Sequence, residues 1–221
     1  MRTPGHAGSA AVEVQSLAVR AAVLVPVKRF TAAKGRLSGV LTNAERARLA
    51  RWMATGVLEA VAALPTFVAC DDEEVGEWAV SHGASVLWGP GLGLNGAVDD
   101  GIGRISAAGH DHIIVTHADL PRPWRLPDMA SNGRITIVPD TIRDGTNVMS
   151  FPTGTPIDAS YGGRSFSRHL AQAEASAQQV DVVDDSDLSL DVDTPDDLAH
   201  PLVREVLPEW VRTNRGSRHS A

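Results

Sequence analysis

Cysteine is almost missing from this chain: its 221 residues include one, Cys70. That excludes an internal disulfide and a cysteine-rich zinc site. It suits a reducing compartment, so a cytoplasmic location is expected. Aromatic residues are sparse at 5%, and the five tryptophans are assigned to packing and surface rather than to an aromatic cage. No apolar run approaches the roughly 18 residues of a membrane span, so no membrane partner is expected. Positive charge is not in excess either. The formal net charge of -7 argues against nucleic acid as a partner, because phosphate backbones demand a basic surface. It leaves small anions open, since a basic pocket or a bound cation reverses the field near a site. Internal repeats and low-complexity linkers are also lacking, which points to one domain.

What is present is enough apolar material, 43%, for one substantial core. Residues 1–20 have no apolar segment before a cleavage site and read as a flexible tail, and the polar, basic stretch 206–221 reads the same way. Between them, 21–205 alternate strand and helix. The valine-rich run AAVLVPV at 21–27 has the look of a buried parallel strand. Further strands are expected at 66–71, 84–90, 112–117, 135–140, 147–152 and near 180. Helices are expected from Thr42 to about Leu64, where Thr42 and Glu45 form a capping box, and then up to Gly83, up to Gly109, and over 164–178. The pattern predicts an α/β fold: a single-domain, Rossmann-like three-layer sandwich with a mainly parallel sheet. Ligands bind such sheets beyond the carboxyl ends of the strands.

The residues that carry chemistry fall at those ends. Lys28, Arg29, Lys34 and Arg36 crowd the loop after the first strand, where fixed cations could stabilise a departing pyrophosphate. The loop lacks the GxxxxGK[ST] pattern, and taken alone it reads as a solvated surface; its place after the first strand makes the functional reading an equal alternative. Asp119 follows the apolar run IIVT, a good position for a ligand to a hard cation, although turn and capping aspartates are common. His117 stands two residues earlier and is read as structural. In LSLDVDTPDDL, strand alternation would turn Asp191 and Asp193 to one side, with Thr194, Pro195, Asp196 and Asp197 left to start a helix. Together with Asp119, the pair could bind one or two Mg2+ ions. The glycine-rich 89–97 turn offers backbone amides to a nucleotide, and Asn95 could reach a purine edge or cap a helix. Gly162, Gly163 and Ser165 precede a helix as a ready anion site, while His169 is placed on that helix's surface.

In this order, PVKRFTAAKGRLS, GLGLN, HADLP, PD…GTN, YGGRSF.RH and LDVDTPDDL resemble the guanylyltransferases of deazaflavin coenzyme (coenzyme F-420) biosynthesis, across residues 21 to 200. Members of that family transfer GMP from GTP to phosphoenolpyruvate, 2-phospho-L-lactate or a related three-carbon phospho-acid such as 3-phosphoglycerate. The resemblance implies a nucleotide-diphospho-sugar-transferase-like fold and Mg2+ on Asp119, Asp191 and Asp193. It also implies phospho-acid contacts at Thr146, Gly162 and Ser165, catalytic cations at Lys28, Lys34 and Arg36, and nucleotide contacts at Pro26, Gly93 and Asn95. The expected partners are thus GTP and a small phosphorylated acid, with a homodimer left open. Gly35 departs from the family's usual AKSRL, and Arg164 stands where a small residue is expected. A nucleotidyltransferase for a sugar phosphate or a molybdopterin-type cofactor, and a catalytically silent GTP-binding regulator, are the competing readings.

Overall fold

β1 (Ala21–Pro26) has five consecutive buried residues, AAVLV, which only a strand covered on both faces can hide. In the computed structural model, which describes residues 19–130 and 133–213, β1 lies near the middle of a seven-stranded sheet. The other strands are β2 (Thr66–Cys70), β3 (Ser85–Trp88), β4 (His112–Thr116), β5 (Ile135–Pro139), β6 (Thr146–Pro152) and β7 (Val180–Val182). Their order is β3-β2-β1-β4-β6-β5-β7. β6 runs antiparallel to both its neighbours, and every other pairing is parallel.

Helices α1 (Asn43–Ala60) and α2 (Glu73–Ser81) cover one face, and α3 (Gly93–Ala107) and α4 (Ser165–Ala175) the other. Strand alternation sorts the core accordingly: Val23 and Val25 face the first layer, and Ala22 and Leu24 the second. The Thr42–Glu45 capping box opens α1 as expected. α3 lies so close to β1 that a Cβ on Gly101 would sit 2.8 Å from Leu24 Cδ2, so a side chain there would force Leu24 or α3 to shift. In the β5–β6 hairpin, Asp140 Oδ2 accepts the Gly145 N–H at 2.8 Å, and a Cβ on Gly145 would meet that oxygen at the same distance.

Three expectations need correction. Residues 185–196 form no strand and add to neither edge of the sheet, which ends at β7. They run over the protein with Leu190 and Val192 buried in a third, smaller core. Residues 206–213 are not tail: α5 (Pro201–Val206) and α6 (Glu209–Thr213) follow, and Leu207 and Val211 join that same core with Leu37, Leu49 and Met53. The remainder of both expected tails, 1–18 and 214–221, lies outside the described residues. His169, finally, is fully buried, since Phe166, His169 and Ala173 form the inner stripe of α4. No helix among the described residues is long and apolar enough to cross a membrane.

Candidate active site

Between β1 and α1 the chain makes two short 3-10 turns, Phe30–Ala32 and Gly35–Leu37. A buried apolar residue pins each: Phe30 packs edge-on against Trp78, and Leu37 enters the third core. Of the cations in this loop, Lys34 lies between the two anchors and is held by side-chain partners. Lys28, Arg29 and Lys34 line a cleft of about 690 Å³, together with Pro26, Gly93, Asp119, Asp191 and Asp193. Arg36 does not join them; it lies exposed on the second turn. Arg29, one of the four loop cations but not among those the resemblance implies to be catalytic, does line the cleft and is fixed by Asp72 at 2.8 Å.

Lys34 occupies the left-handed region (φ 56°, ψ 39°), a conformation costing about 1–3 kcal/mol for a residue with a Cβ. It is held there by its side chain. Its Nζ donates to Asp119 Oδ2 at 2.6 Å and to Asp193 Oδ1 at 2.8 Å, and the side chain is only 5% exposed. Burial pulls the ammonium's pKa down, but the Asp119 and Asp193 carboxylates more than offset that and leave it raised. Burial likewise pushes Asp119 up, and Lys34 with His117 outweighs it, leaving Asp119 below its ordinary value. For Asp191 the help from Lys34 is outweighed. Burial first, then Asp119 and Asp193, push it up to about 7.

Asp119, Asp191 and Asp193 each present an oxygen within 4.8 Å of the others. Asp119 lies beyond the end of β4, and the other two alternate with the buried Leu190 and Val192, so extended backbone turns both to one side without a ladder. Asp197, at the start of the next turn, reaches back to this segment and accepts from the backbone N–H of Asp193 and Thr194. Oxygen-only donors suit a hard cation. Asp119 Oδ1 is buried with no hydrogen-bond partner among the described residues, an orphan that a cation would satisfy. The acids thus fit Mg2+.

A second group adjoins the first through Tyr161, whose ring lies 5.2 Å from His117 and 4.9 Å from His169. The Ser160 N–H donates to His169 Nε2, which leaves the proton on Nδ1 to be donated to Thr146 Oγ1 at 2.9 Å. Burial lowers His169 to about 4, so the ring is neutral. Gly162 (φ +113°) and Ser165 belong to the turn opening α4, and Asp144 accepts the Arg164 N–H. Thr146, Gly162 and Ser165 do not line the main cleft; Thr146 and Ser165 are buried. Asn95 neither caps α3 nor faces the cleft. It clamps the backbone of Tyr161, accepting its N–H at 2.8 Å and donating to its carbonyl at 3.4 Å, so any influence on a nucleotide is indirect.

Residues 21–204 match the family model described as "Guanylyl transferase CofC like". The chain belongs to that family. The match runs from β1 into α5 and takes in every residue of the cleft and of the group around Tyr161. Among similar proteins is the phosphoenolpyruvate guanylyltransferase of Sphaerobacter thermophilus, 33% identical over 79% of this chain and 89% of its own length. Another is the 2-phospho-L-lactate guanylyltransferase of Methanothermobacter thermautotrophicus, 34% identical over 91% of this chain and 96% of its own. A solved structure provisionally named as a nucleotide-diphospho-sugar transferase, from Desulfovibrio desulfuricans G20, superimposes with a TM-score of 0.66 at 18% identity, covering 80% of this chain and 84% of that one. It bears out the expected fold. Two departures from the usual motifs of this guanylyl transferase family now have a structural setting. A Cβ on Gly35 would meet nothing within 4 Å, so space does not demand the glycine. Arg164 has φ 57°, a backbone conformation that explains why a small residue is expected there.

Proposed function

We propose that the chain transfers the guanylyl group of GTP to the phosphate of a small phosphorylated carboxylic acid and releases pyrophosphate, with Mg2+ held by Asp119, Asp191 and Asp193. The observation that carries this reading is the meeting of those three acids, within 4.8 Å, in a cleft also lined by Lys28 and Arg29. The guanylyltransferase names of the relatives support the nucleotide, and the acids in those names support the class of acceptor. Mg2+ would supply Lewis-acid stabilisation of the charge developing on the phosphoryl oxygens.

The chain's own residues do the rest. Lys34 holds Asp119 and Asp193 at a fixed separation. Pro26 and Gly93 bring backbone to the nucleotide, and Gly93 (φ +66°) does so without a side chain in the way. Lys28 and Arg29 offset the negative charge of the terminal phosphates. The family resemblance assigns the acceptor's carboxylate to Thr146, Gly162 and Ser165, in the group around Tyr161 that adjoins the main cleft. Because His169 Nδ1–H donates to Thr146 Oγ1, the hydroxyl proton of Thr146 is free for that carboxylate. A phosphate oxygen of the acid then forms the new bond to the α-phosphorus in line. The bond from that phosphorus to the bridging oxygen breaks, and its electron pair leaves with pyrophosphate.

Pyrophosphate release should be measured with GTP and Mg2+, offering phosphoenolpyruvate, 2-phospho-L-lactate and 3-phosphoglycerate separately, with EDTA and CTP as controls. Release with one acid and GTP, abolished by EDTA, is the expected result. A folded protein that binds GTP and stays silent with all three would overturn the phospho-acid acceptor.

A further inference from the structure

The three acids come from stretches that no strand pairing joins: Asp119 just past β4, and Asp191 with Asp193 in the strandless 185–196 segment. Their ligand oxygens nevertheless converge. Something else must set one stretch against the other, and the hydrogen bonds show what does.

Asn147, 2% exposed at the start of β6, touches both. Its carbonyl accepts the N–H of His117 at 3.1 Å, two residues before Asp119. Its Nδ2 donates to the Leu188 carbonyl at 3.0 Å, three residues before Asp191. Beside this joint, Arg122 Nε donates to Asp187 Oδ1 at 2.5 Å, with both side chains largely buried, and its Nη1 reaches Glu205 at 3.2 Å. Trp124 Nε1 donates to the other oxygen of Asp187 at 3.0 Å. Arg125 Nη1 donates to Asp185 Oδ2 at 2.8 Å, while Asp185 Oδ1 gathers the N–H groups of Asp187 and Leu188 at 2.9 Å each.

We propose that Asn147 and Arg122 are positioning residues for the cation site. They lock the 117–125 stretch against the 185–193 stretch so that Asp119 meets Asp191 and Asp193 at ligand spacing. This rests on reading the three acids as cation ligands. Neither residue touches the acids' carboxylates. Their effect runs through the backbone, one step further from the ion than the groups bonded to ligands, whose loss typically costs about 10–100-fold in metal affinity, so the low end of that range is expected.

The test uses the full chain with Mn2+ alone as the probe, free Mn2+ being read by electron paramagnetic resonance, and thermal melts taken alongside. Arg122→Met removes the fork, and Asn147→Asp replaces the Nδ2 donor by an acceptor facing a carbonyl. Each is expected to weaken Mn2+ binding about tenfold or more, with Arg122→Lys recovering part of the loss. The Mg2+ needed for half-maximal pyrophosphate release should rise in parallel, while the KM for GTP at saturating Mg2+ moves less than about twofold. A folded Arg122→Met protein with a lowered melting point but wild-type Mn2+ affinity overturns the inference, since a merely stabilising role predicts that result. If Asn147→Asp does not fold, Arg122→Met decides alone. Wild-type protein that binds no Mn2+ defeats the underlying reading of the acids instead.

Discussion

Lys34 Nζ stands 2.6 Å from Asp119 Oδ2, inside a site where two further carboxylates converge. The same ammonium also serves Asp193, so one cation from the loop after β1 joins acids that lie 85 and 159 residues further along the chain. Removing it leaves two carboxylates facing one another, but the Asp119 and Asp193 side chains are 23% and 45% exposed, so the loss falls below that of a fully buried pair, about 3–5 kcal/mol. Lys34→Met is therefore expected to lose about 1–2 kcal/mol in urea unfolding with EDTA present, and to regain part of this in Mg2+. A variant as stable as wild type in EDTA would show that the pair contributes nothing net.

Asp119→Asn should stay folded and lose turnover. The residue lies past the end of β4 and packs little apolar surface, so its loss is felt at the cation rather than in the core. The drop in pyrophosphate release should be about 100-fold or more, exceeding what supporting residues typically cost. Undiminished release by the folded variant would take Asp119 out of the cation site.

The stability of the chain should carry the signature of His169. Its folded pKa is lowered from 6.5 to about 4, by burial first and then by Arg168 and His117. Protonation therefore favours the unfolded chain. The contribution is complete above pH 6.5 and is lost as pH falls towards 4, amounting to roughly 3 kcal/mol. Asp191, raised to about 7, acts with the opposite sign over much of the same range, so wild type alone is uninformative. The difference between wild type and His169→Gln, taken in EDTA, isolates the histidine. It should shrink as pH is lowered; a difference independent of pH would contradict the neutral buried ring.

Gly101→Ala sets two effects against each other. Alanine is the better helix former by about 1 kcal/mol. Against this, the new Cβ would lie 2.8 Å from Leu24 Cδ2 and 3.0 Å from Cδ1, and Leu24 is fully buried. Overpacking of this kind costs about 1–3 kcal/mol, so a net destabilisation is expected from denaturant midpoints. A stabilised variant would mean that α3 can move off β1 cheaply.

The parallel half of the fold was legible because buried parallel strands are continuous apolar runs and the helices between them carry their own caps, as Thr42 does for α1. The acids were legible for a similar reason, since a carboxylate directly after IIVT has few places to go but the strand's end. What sequence alone could not give was the path of 185–213. The alternation of Leu190 and Val192 with Asp191 and Asp193 predicts their facing correctly, but it is silent on whether a neighbouring strand exists. Asn95 shows another limit. Its residue type suits a cap or a base contact equally, and only tertiary structure could show both ends of its amide taken by Tyr161. The burial of His169 was available, since Phe166, His169 and Ala173 fall on one helical stripe. So was the small-residue expectation at Arg164, which the left-handed backbone there now accounts for.

The reversal of β6 has one more consequence. Because β6 runs against β4, its first residues, Thr146 and Asn147, lie beside the last residues of β4, where Thr116 pairs with Val148 and the His117 N–H with the Asn147 carbonyl. On the proposed reading, the cations of 28–34 and Asp119 lie on one side of this seam and the acceptor turn on the other. Asp191 and Asp193 return to the nucleotide side from much later in the chain, and the Asn147 joint ties their segment to the same seam.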